Sequence, residues 1–117
     1  MNWQDARNEA LDKWFAIRDL VGVCEPEAFI ALVRDTTGMC HKSMEEADLR
    51  NDHANYCLYC ISFEQYGGCK QLIDAMCESA NKHDWGSVYG LTTNMIGMLD
   101  NLNLESEEEQ LCAPIMN

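Results

Sequence analysis

Apolar residues recur at three- and four-residue intervals along most of the chain, and no stretch of useful length alternates strictly between apolar and polar. That period belongs to helices that bury one face. The first predicted helix runs from about Trp3 to Val21, with Trp3, Ala6, Ala10, Trp14, Ile17 and Val21 on one stripe that Leu11 and Phe15 widen. Gly22 breaks it. Pro26 suits a first helical position, and the second helix continues through Phe29, Ile30, Leu32 and Val33 to Gly38. The run SMEE, Ser43 to Glu46, has the form of a capping box and opens a third helix that reaches Tyr66, with a restart at Asp52 allowed. Gly67 and Gly68 end it.

A fourth helix from about Cys69 to Lys82 packs through Leu72, Ile73, Met76, Cys77 and Ala80. Asp84 caps a fifth, whose inner face carries Trp85, Val88, Met95, Leu99 and Leu102. Gly86, Gly90 and Gly97 weaken that helix by about 1 kcal/mol each against Ala, unless a second helix approaches there closely. The expected fold is all-α, a single compact bundle of about five helices over residues 1–104. An acidic, loosely ordered tail is expected over 105–117.

Length adds that 117 residues form one domain, large enough for a core without disulfide staples. No apolar run is long enough to span a bilayer and no signal-like segment opens the chain, so a soluble cytoplasmic protein is expected. Charge changes the picture more. Twenty acidic residues against eight basic ones give a formal charge of −12. Such a surface repels nucleic acid and anionic lipid, and favours a basic protein such as one that itself binds nucleic acid.

Seven cysteines are many for this length, and their odd number argues against a secreted disulfide framework. The run HANYCLYC places His53, Cys57 and Cys60 at spacings of four and three. On an α-helix these three share a face, where imidazole and thiolate donors suit zinc and leave one tetrahedral position to fill. Cys24, Cys40 and His41 are the candidates for that fourth ligand. A second cofactor reading is an iron–sulfur cluster on Cys40, Cys57, Cys60 and Cys69. A third treats Cys57 and Cys60 as a redox pair, though without the βαβ context that such a pair normally has. The bland reading packs the same side chains into a helix core.

His-x3-Cys-x2-Cys with a Cys some thirty residues upstream resembles the zinc-binding anti-sigma factors. Cys24, the apolar AFIALV, the turn near Gly38, SMEEADLRND and HANYCLYC run in that family's order over about a third of the chain. The resemblance implies Cys24, His53, Cys57 and Cys60 as zinc ligands. It also implies a small helical protein that wraps a sigma factor, with oxidation of the thiolates releasing the partner in some members. The sequence departs from the pattern in having Cys40-His41 where the family has an Asp-Gly stretch, and a long Trp-containing helix ahead of the motif.

No phosphate loop, nucleophile elbow or zincin helix is present, so a non-enzymatic role is expected. Two such roles compete. One is a zinc-stabilised inhibitor of a transcription factor; the other is a metal-free, phage-type acidic inhibitor that imitates DNA. In either case the first helix carries more aromatic surface than a small bundle needs. Trp3, Trp14 and Phe15 are therefore expected in an interface with the target or with a second copy.

Overall fold

A computed structural model of the protein describes residues 2–104. They form six α-helices: α1 (Trp3–Asp19), α2 (Pro26–Arg34), α3 (Gly38–Asp48), α4 (Ile61–Tyr66), α5 (Lys70–Asn81) and α6 (Trp85–Asp100). A 3₁₀ segment, His53–Tyr59, lies between α3 and α4, and the described residues contain no strand. The all-α bundle is thus as the pattern predicts. The predicted third helix, however, is three pieces. The predicted tail lies outside the described residues.

Local chemistry accounts for the ends. The Asn2 side chain accepts from the Asp5 amide at 2.8 Å and starts α1, and Asp84 accepts from the Ser87 amide at 3.3 Å and starts α6. Pro26 stands in the first turn of α2. That helix stops at Arg34 and not at Gly38, because Asp35 turns extended at ψ 151°. The capping box expected at Ser43 is not one. Ser43 is buried in the middle of α3, and its hydroxyl donates to the Met39 carbonyl at 2.9 Å within the helix.

Helix α1 packs on α3 and α6, and α5 packs on α6 and α2. Ala6, Ala10, Trp14 and Ile17 supply the α1 side of the core, facing Phe29, Met76, Val88 and Met95 among others. Gly38 begins α3 where it meets α1 closely. A Cβ there would stand 2.8 Å from the Ala6 carbonyl oxygen and 3.0 Å from the Glu9 Cβ. The α6 glycines do not serve such an approach, since Gly90 and Gly97 have only open space where a Cβ would go. No helix of the described residues is long and apolar enough to cross a membrane.

Candidate functional site

The segment from 49 to 60 decides what the cysteines can do. Leu49 caps α3, and Asn51 takes φ +54°, which turns the chain out of the helix. Asp52 then organises residues 53 to 59. Its carboxylate accepts from Asn55 Nδ2 at 2.8 Å and from the Tyr59 hydroxyl at 2.7 Å. Those two hydrogen bonds, Tyr59 first, hold the Asp52 carboxyl below its ordinary value. The backbone between them winds as 3₁₀ turns, interrupted at Asn55.

This alters which side chains share a face. An α-helix turns about 100° per residue, which puts positions four and seven apart on one side. A 3₁₀ helix turns about 120°, which sends a residue four positions on roughly a third of a turn away. His53 accordingly diverges from Cys57. It is exposed, and its Nδ1 pairs with Asp48 Oδ1 at 2.6 Å.

Four thiols border one space. Cys40 in the first turn of α3, Cys57 in the 3₁₀ segment, Cys60 at the start of α4 and Cys69 ahead of α5 line one concavity of about 540 Å³. Tyr56 and Ser62 line it too, and Ser62 Oγ lies 2.9 Å from Cys60 Sγ. Burial, then the neighbouring Cys40, Cys60 and Cys57, pushes the Cys69 thiol up to about 11. Burial, then Cys40 and Cys60, raises Cys57 as well. Both shifts disfavour the thiolate form of Cys57 and Cys69 and make these two poor nucleophiles.

Of the ligand set implied by the anti-sigma resemblance, Cys57 and Cys60 line the concavity, whereas Cys24 and His53 are not among its lining residues. Cys24 precedes α2 and, unlike Cys40, is not among the residues that line the concavity. Cys24 is half-buried against the core, with its Sγ 3.8 Å from the Leu20 carbonyl. His41 is exposed and pairs with Thr36 Oγ1 at 3.1 Å. The quartet that lines one concavity is the set that the iron–sulfur reading of the sequence requires. Among the described residues, no three His, Cys, Asp or Glu side chains already stand close enough to hold one ion.

The three aromatic residues expected in an interface also part company. Trp14 is 3 % exposed, so it is a core residue and leaves a partner nothing to touch. Trp3 is half-buried, with the Lys42 ammonium 5.8 Å from its ring centre. Phe15 is 44 % exposed. The Arg18 guanidinium lies between Phe15, at 5.2 Å, and Tyr89 of α6, at 5.6 Å. Tyr89 escaped the sequence reading, although its position carried a signal: it is an aromatic residue next to Val88 but off the inner stripe of α6. Exposed Asp12 and Asp19 lie three residues before and four after Phe15 on the same helix surface, and neither is in an ion pair among the described residues.

No protein-family model, curated protein or solved structure matches the chain.

Proposed function

We propose that this is a non-enzymatic regulatory protein. It binds and inhibits a basic, nucleic-acid-binding protein, most simply a sigma-factor-like transcription factor, through a zinc-stabilised helical domain. The observation that carries the partner choice is the Phe15–Arg18–Tyr89 cluster rimmed by Asp12 and Asp19. Exposed rings supply apolar area at small entropic cost, and unpaired carboxylates around them select cationic side chains. The surplus of acidic over basic residues extends the same preference over the rest of the chain, and sets it against direct nucleic-acid binding.

Affinity capture with the full chain and with the Phe15→Ala/Tyr89→Ala variant tests this. The expected partner is a basic nucleic-acid-binding protein, identified by mass spectrometry, that the variant loses. Equal capture by both chains, or tight association of the protein with duplex DNA at physiological salt, overturns it. A dimer that disappears in the variant would assign the face to a second copy instead. Salt separates packed rings from DNA mimicry, because charge-dominated binding weakens steeply from low to physiological ionic strength.

A further inference from the structure

We infer that Cys40, Cys57, Cys60 and Cys69 are the ligands of one zinc-class ion, which draws the 3₁₀ segment and the Gly67–Gly68 turn onto the starts of α3 and α5. This rests on the zinc of the proposed function and assigns its site, replacing Cys24 and His53. Cys40, Cys57, Cys60 and Cys69 line one concavity without already standing close enough to hold an ion, and four sulfur donors are the number and type that zinc takes in structural sites. Packing against the core accounts for part of Cys60 and Cys69, as it does for Cys24 and the buried Cys77, but not for Cys57, which is exposed.

The surroundings suit anionic sulfur. Cys40 is in the first turn of an eleven-residue helix and Cys69 precedes the first turn of a twelve-residue one, both at the positive end of a helix dipole. Lys70 and Arg34 border the same concavity, as do Asp35 and Asp74, and Arg34 pairs with Asp74 at 3.5 Å. The 3₁₀ segment packs on α3 without burying any residue of His53–Tyr59, and Gly67 and Gly68, at φ +79° and +94°, form the turn that carries Cys69. Binding exchanges four S–H bonds for four Zn–S bonds and releases four protons to solvent; no electron moves.

The test uses the full chain, purified under reducing conditions without chelator and with no partner present, so its outcome is independent of partner binding. Elemental analysis should give one zinc per chain, and cobalt substitution should give the charge-transfer absorption of a tetrahedral thiolate site. Cys40→Ser and Cys69→Ser should lose the metal, whereas Cys24→Ser and His53→Ala should keep it. Alkylation mapped by mass spectrometry on the wild-type chain needs no variant to fold. Zinc should slow modification of the four thiols at least tenfold, and leave Cys24 unchanged. Metal-free folded protein overturns the inference. So does iron with visible absorbance, or metal loss in Cys24→Ser or His53→Ala with Cys40→Ser and Cys69→Ser still loaded.

Discussion

The Trp85 ring meets Phe29 edge-on, with centroids 5.4 Å apart and planes at 83°. That contact fixes the start of α2 against the start of α6. Phe29 is fully buried and Trp85 half-buried, so the pair closes one end of the core. Phe29→Ala should cost about 3–5 kcal/mol, the range for deleting a buried aromatic ring. Chemical denaturation measures it; a loss below about 1 kcal/mol would place Phe29 outside the core.

Gly38 and Ser43 make a paired prediction on α3. Gly38→Ala forces a Cβ against the Ala6 carbonyl, which is backbone and cannot swing away, and should destabilise by about 1–3 kcal/mol. Ser43→Ala should stay within about 1 kcal/mol, because the Met39 carbonyl loses only a second, local donor. A cost for Ser43→Ala larger than that for Gly38→Ala would restore the capping-box assignment.

The helices were legible wherever a stripe and its punctuation agree. Leu72, Ile73, Met76, Cys77 and Ala80, between a double glycine and Asp84, specify α5 almost to the residue. Residues 43 to 66 misled for a physical reason. Ser43 and Glu46 have capping-box spacing, but the α3 start was decided further back, where Gly38 alone fits against α1. The break at Asn51 and the reach of Asp52 to Tyr59 depend on backbone and hydroxyl geometry that hydrophobic period does not encode. The thiol quartet was half legible. Cys57 and Cys60 are close in sequence, whereas Cys40 and Cys69 join them only because the starts of α3 and α5 border one concavity.

Acid should destabilise the fold through its hydrogen-bonded carboxylates. Ser87 holds Asp84 below its ordinary value of 3.8, and Tyr59, then Asn55, do the same for Asp52. A carboxyl lowered in the folded state contributes stability that is complete above its unfolded value. That stability is lost as pH falls through the lowered folded one. Thermal melts should therefore be insensitive to these two groups from neutral pH down to about 5 and fall below about 4. Asp84→Asn keeps a capping side chain but removes the titration, so it should flatten the acid limb. An unchanged limb would show that Asp84 is not linked to folding.

Loss of the partner face should leave the fold intact. Phe15→Ala and Tyr89→Ala remove exposed rings, and each should change stability by no more than about 1 kcal/mol. Trp14→Ala should cost about 3–5 kcal/mol, since that ring is internal. Equal losses at Phe15 and Trp14 would mean that the α1 aromatics form one structural set with no face left for binding.

Competition for the partner tests the functional claim most directly. The captured basic protein, bound to labelled nucleic acid at physiological salt, is titrated with the wild-type chain and with Phe15→Ala/Tyr89→Ala. The expected result is displacement of the nucleic acid by the wild type, with the double variant weaker by roughly tenfold or more, about 1.4 kcal/mol. Nucleic acid that stays bound at saturating wild-type protein, or equal displacement by both chains, would contradict it.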